Sequence, residues 1–155
     1  MKGDPAEPAR RKTGIYIDSS ALAKIYMPEP ESEELERFLR GHQDLMISEL
    51  CITEVASAAA RRKREGLLNA RQVKQIHEAV LADAESGYYR CLDVSPLIHR
   101  DAEHLLLSSE SVPLRTLDAL HIALALSGTA ERVITFDVRM ASATVAHGLE
   151  IVKVV

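Results

Sequence analysis

Gly14-Ile-Tyr-Ile-Asp18 is the stretch on which the fold turns. Three apolar residues between a glycine and an aspartate are too few for a helix, and they lack the alternation of a strand with one wet face. A short, unbroken apolar run is the form that a buried parallel strand takes. Similar short runs recur at Asp44-Leu-Met-Ile-Ser48, Tyr89-Arg-Cys-Leu-Asp-Val94, Arg132-Val-Ile-Thr-Phe136 and Leu149-Glu-Ile-Val-Lys-Val-Val155. Helical patterns fill the intervals. Residues 19–27 and about 30–40 read as helices broken by Pro28 and Pro30, and a helix from Glu49 stops at Gly66. Asn69 can cap a helix that stops at Gly87, and Ser95-Pro96 supplies an N-cap followed by proline at the first helical position. Further helices are expected from Thr116 to Ser127 and from Val138 to Ala146. Strands alternating with helices imply βαβ units, so the expectation is one α/β domain with a mainly parallel, five-stranded sheet.

The chain has 155 residues, 46% of them apolar and 27% charged, a balance that fits a folded domain and excludes disorder. Trp is absent and aromatics reach only 4%, so the core must be aliphatic. No apolar run approaches the roughly 20 residues of a membrane span. Residues 1–13 carry charge and proline without an apolar segment, and read as a flexible leader rather than a secretory signal. Cys51 and Cys91 show no CxxC spacing and are expected to be buried free thiols. That usage and the lack of a span fit a cytoplasmic protein. The six histidines have no zinc-like spacing. A net charge of −4 is unlike a generic nucleic-acid binder. Contact with RNA or DNA would need a local basic patch, a bound cation or a basic partner.

Ligands of an open parallel sheet bind beyond the carboxyl ends of its strands. Asp18 and Asp137 stand there, each directly after a strand. Each can also be read as an ordinary N-cap. Asp118 lies in Leu117-Asp-Ala-Leu-His-Ile-Ala-Leu-Ala-Leu126, apolar around nearly the whole helical circumference. Such a helix is buried. An acid there is costly unless paired, capped or bound to a cation; the helix dipole or Arg115, three residues earlier, could serve. Glu54 shares a helix face with Ala58 and Arg61, a sequence of acid, small residue and base that would let a polyanion approach. Arg61, Arg62, Lys63 and Arg64 form a basic helix end, which is either an RNA contact, with Arg61 and Arg62 foremost, or a solvated helix terminus.

Two carboxylates about 4 Å apart repel by roughly 4 kcal/mol at an effective dielectric near 20. Several such pairs would consume much of the roughly 5–15 kcal/mol that holds a domain together. A cluster of four is therefore expected to protonate in part or to bind a divalent cation. Oxygen-only ligands suit Mg²⁺ or Mn²⁺, ions that activate water and stabilise charge on a phosphoryl group. Phosphodiester hydrolysis is the natural reaction.

At these residues the chain resembles the PIN-domain ribonucleases, specifically the VapC-like toxins of type II toxin–antitoxin pairs. The likeness is carried by Ile15-Tyr-Ile-Asp-Ser-Ser-Ala-Leu-Ala-Lys24, Ser48-Glu-Leu-Cys-Ile-Thr-Glu54, Leu114-Arg-Thr-Leu-Asp-Ala-Leu-His-Ile-Ala123 and Thr135-Phe-Asp-Val-Arg-Met-Ala141, which come in the family's order. It implies a PIN-like nuclease domain over residues 14–155, doubly wound, with helices on both faces of the sheet. It also implies an endoribonuclease that cuts RNA with Mg²⁺ or Mn²⁺. By that likeness Asp18, Asp118 and Asp137 would be metal ligands, and Glu54 would orient or deprotonate the attacking water. Ser20 and Thr135 would support the site. A cognate antitoxin and a homodimer are further implications. Two other Asp-based phosphoryl chemistries fit less well. Asp18-Ser19-Ser20 lacks the second acid of a DxD phosphatase, and a receiver domain's acidic pair and late lysine are not evident. A non-catalytic module that binds RNA or an antitoxin is the alternative from another class.

Overall fold

Ile15, Tyr16 and Ile17 are shielded from solvent on both faces, because the strand they form, β1 (Ile15–Ile17), is the middle of a five-stranded sheet. The computed structural model describes residues 14–154; the leader expected at 1–13 lies outside the described residues, as does Val155. The other strands are β2 (Leu45–Ser48), β3 (Arg90–Leu92), β4 (Arg132–Ile134) and β5 (Glu150–Ile151), in the order β3-β2-β1-β4-β5. Every pairing is parallel. The parallel α/β expectation holds.

Helices α1 (Ser19–Tyr26), α2 (Ser32–Leu39), α3 (Glu49–Arg64) and α4 (Ala70–Glu85) carry the chain from β1 to β2 to β3, in one direction across the sheet. Helices α5 (Pro96–Ser108), α6 (Thr116–Ser127) and α7 (Val138–Ala146) carry it back to β4 and on to β5 in the other direction. Right-handed crossovers running in opposite directions place the two groups on opposite faces. The packing agrees: α1 meets α2, α3 and α4, while α6 meets α5 and α7.

Capping chemistry fixes these boundaries. Asn69 and Gln72 form a reciprocal capping box at the start of α4, and Ser95 caps α5 ahead of Pro96. Gly66 and Gly87, just beyond α3 and α4, adopt φ of +78° and +82°, the left-handed turn that a side chain resists. Three strands are shorter than the sequence implies. Edge strands β3 and β5 each pair on one side only, which leaves their flanks unsupported. Strand β4 ends at Ile134, and the Phe136 N–H beyond it bonds the Ser20 hydroxyl rather than a neighbouring strand. Both cysteines are free, but only Cys51 is buried; Cys91, on edge strand β3, is half-exposed. No helix among the described residues is long and apolar enough to cross a membrane.

Candidate active site

Strands β1 and β4 are neighbours, yet the chain leaves them in opposite directions across the sheet. Their carboxyl ends therefore open a crevice that no crossover fills. Asp18 and Asp137 stand at its two sides. Both are also N-caps, so the plainer reading of each is correct without excluding the other. Asp18 caps α1 and accepts Oδ1 bonds from the Ala21 N–H at 3.0 Å and the Ser20 hydroxyl at 2.7 Å. It is 3% exposed, and burial raises its pKa against the opposing hydrogen bonds of Thr135, Ser20 and Ala21. Asp137 caps α7, accepting at Oδ1 from the N–H groups of Arg139 and Met140 at 2.8 and 3.2 Å.

Helix α6 brings the third acid. Its residues from Asp118 to Ala125 are all buried, as the apolar circumference demands. Asp118 is partnered by Arg115, whose Nε and Nη2 donate to its two oxygens at 2.7 and 3.1 Å. The same guanidinium donates at 2.8 Å to Oδ2 of Asp137. The hydrogen bonds from Arg115 hold the Asp137 carboxyl below the ordinary range, with burial opposing and the α7 N–H groups helping.

Glu54, on α3, meets His121 of α6, with Oε2 2.6 Å from Nε2. Burial works against both charges. The bond and charge of His121 nevertheless hold Glu54 below its ordinary pKa, while contacts with Cys51 and Glu54 push His121 up to about 10. With the imidazole protonated, Nδ1 donates to the hydroxyl of Tyr16 at 2.8 Å. Tyr16, held neutral by burial and by neighbouring Cys51, can then donate to Ser48 at 2.9 Å. Ser48 donates to Cys51 at 3.3 Å, and Cys51 to the Ile17 carbonyl at 3.4 Å. Every member of this chain inward of Glu54 is buried.

All four sequence-nominated acids line one pocket of 280 Å³, together with Ser20, Arg115 and His121. Thr135 does not line it, but its hydroxyl lies 3.3 Å from that of Ser20. A second groove of 660 Å³ shares Ser20, Glu54 and Asp137 with this pocket and runs along α3 past Ala58 to Arg61 and Arg62. The acid, small residue and base on one helix face thus line a common wall. Arg62 is ion-paired with Glu29, whereas Arg61 has no ion pair among the described residues.

One expectation needs correction. Mutual repulsion of the acids was expected to require protonation or a metal; instead the chain supplies Arg115 and His121 as internal cations. The raised acid, Asp18, owes its shift first to burial rather than to neighbouring negative charge. As they stand, no three His, Cys, Asp or Glu groups among the described residues are gathered tightly enough to hold a metal ion. The donor chemistry nevertheless fits one: carboxylate oxygens from Asp18, Asp118 and Asp137 facing one pocket are what a hard divalent cation takes. His121 and Tyr16 were not nominated from the sequence. The available signal was a histidine one turn after Asp118 in an otherwise apolar helix.

The family model for the PIN domain matches residues 15–145. This chain belongs to the PIN-domain family. Ribonuclease VapC46 of Mycobacterium tuberculosis is 33% identical over 145 residues, covering 89% of this chain and 95% of the relative. The PIN-domain chain also resembles the crystal structure of VapC20 from the same organism, described as a toxin that cleaves the sarcin–ricin loop. The TM-score is 0.67 at 17% identity, covering 84% of this chain and 95% of the other. A toxin–antitoxin complex from Klebsiella pneumoniae matches with a TM-score of 0.63 at 16% identity, over 92% of this chain and 98% of the other. At such identities the two structures bear on fold alone. The PIN-domain chain shares that fold over 84–92% of its length.

Proposed function

We propose that this protein is a Mg²⁺- or Mn²⁺-dependent endoribonuclease, the toxin of a VapBC-type pair, with residues 14–155 as its nuclease domain. The observation that carries the reading is the convergence of Asp18, Glu54, Asp118 and Asp137 on one pocket at the crevice between β1 and β4. Asp18, Asp118 and Asp137 would hold the divalent ion, which supplies charge for the phosphoryl group and a more acidic attacking water. Glu54, ionised and held by His121, would orient or deprotonate the attacking water. Ser20 and Thr135 hold Asp18 and the loop after β4 in register. RNA runs along the second groove toward Arg61 and Arg62, which offsets the net negative charge locally. The ribonuclease name of the 33%-identical relative supports the activity, and a cognate antitoxin goes with the toxin reading. A homodimer and a cytoplasmic location complete the reading.

Cleavage of a mixed cellular RNA pool with Mn²⁺ or Mg²⁺ tests it, with Asp18→Asn, Asp118→Asn and EDTA as controls. Discrete fragments from the wild type alone, abolished by EDTA, are expected. One observation favours a non-catalytic binding module instead: three of the four acids already have an internal cationic partner. Tight RNA or antitoxin binding without cleavage by a folded, metal-loaded protein would select that reading.

A further inference from the structure

Asp118 and Asp137 offer four carboxylate oxygens, and all four are engaged within the protein. Both oxygens of Asp118 and Oδ2 of Asp137 accept from Arg115, while Oδ1 of Asp137 accepts from the α7 N–H groups. The α7 bonds are fixed by the helix. The Arg115 bonds are not: the residue sits at the N-cap position of α6 with extended backbone, and 42% of its side chain is exposed. It can swing outward without breaking a helical bond.

We propose that Arg115 is an exchangeable internal counter-ion, which holds Asp118 and Asp137 in the metal-free protein and which a divalent cation must displace to be bound by them. This rests on the reading of those two acids as metal ligands. A guanidinium and a divalent ion are like charges drawn to the same oxygens, and their repulsion at contact distance favours the exit of one. The fork of Arg115 matches two carboxylates at once. It keeps the pair neutralised and oriented until metal arrives, and its release is a cost subtracted from metal affinity. Arg115 is thus a positioning residue that sets how much metal the site needs.

Calorimetric titration of the full-length protein with Mn²⁺, without RNA, provides the test. Arg115→Gln removes the competing charge and should tighten the dissociation constant about tenfold, the scale of two part-exposed ion pairs after solvent screening. Arg115→Lys, which keeps the charge without the fork, should fall between. Arg139→Gln is the control: it removes an equal charge two residues from Asp137, from a side chain that bonds neither acid, and should change affinity far less. A second readout follows the Arg115 Nε–H by nuclear magnetic resonance. It should be protected from solvent exchange in the metal-free protein by its bond to Asp118, and lose that protection on saturation with Mg²⁺. Unchanged or weaker Mn²⁺ binding in Arg115→Gln, an equal gain in Arg139→Gln, or an Nε–H still protected with metal bound would each overturn the inference while leaving the metal site standing. Absence of binding by both the wild type and Arg115→Gln, or binding indifferent to Asp118→Asn, would instead remove the site reading and the inference with it.

Discussion

The two sides of the pocket neutralise their acids by opposite means. On one side Arg115 reaches in from the rim, half-exposed, and grips Asp118 and Asp137. On the other, His121 reaches out from the core, 4% exposed at its side chain, and meets Glu54 from behind. An exposed guanidinium is hydrated whether or not it is paired, so losing its partner costs little. A buried imidazolium has nowhere else to turn. The same sign of charge therefore makes a replaceable plug at the rim and a fixed support in the core.

The largest break in that comparison should come from His121→Ala. It takes from Tyr16 the bond it accepts and from Glu54 its cation, and is expected to cost about 3 kcal/mol, the scale of breaking a buried ion pair. Arg115→Gln should cost less, about 1–2 kcal/mol, because the guanidinium is half-exposed even though Asp118 is buried. Equal losses in urea unfolding would erase the distinction between the two sides.

A pH series sharpens it further. Because the folded-state pKa of His121 is raised to about 10, its stabilisation is full below its unfolded value, roughly 6.5, and is lost as pH rises through about 10. Glu54, depressed, contributes above its ordinary range and loses that contribution as pH falls. The gap in melting temperature between wild type and His121→Asn should accordingly narrow from pH 7 to pH 10. A constant gap would mean that the imidazole is held neutral. Tyr16→Phe, which deletes one buried hydroxyl, should cost about 1–2 kcal/mol and leave Glu54 in place.

The smallest effect concerns the groove. Arg62 is already paired with Glu29, and Arg61 has no ion pair among the described residues. Arg61→Ala should flatten the salt dependence of RNA binding by about one unit of slope, and Arg62→Ala by less. Equal effects would show that RNA takes Arg62 from Glu29.

Much of the molecule was legible in the sequence. Unbroken apolar runs such as Ile15-Tyr-Ile17 can be buried only as central strands, and Asn69, Ser95, Gly66 and Gly87 punctuate the helices through backbone chemistry local to each. An acid inside the apolar stretch from Leu117 to Leu126 likewise pointed to the pocket it now lines, because a buried charge has to be answered by something nearby. What the sequence by itself determined was therefore local: which segments repeat a period, where they stop, and which acids stand at strand ends. Only the tertiary structure decided what answers the acids. Glu54 and His121 are 67 residues apart, Tyr16 and His121 105, and Arg115 and Asp137 22. Contacts at such separations depend on strand order and on the direction of each crossover, which helical and strand periods do not encode. The same cause hid the difference between Arg61 and Arg62, neighbours in a basic run, of which the fold gives one to Glu29 and leaves the other facing the groove.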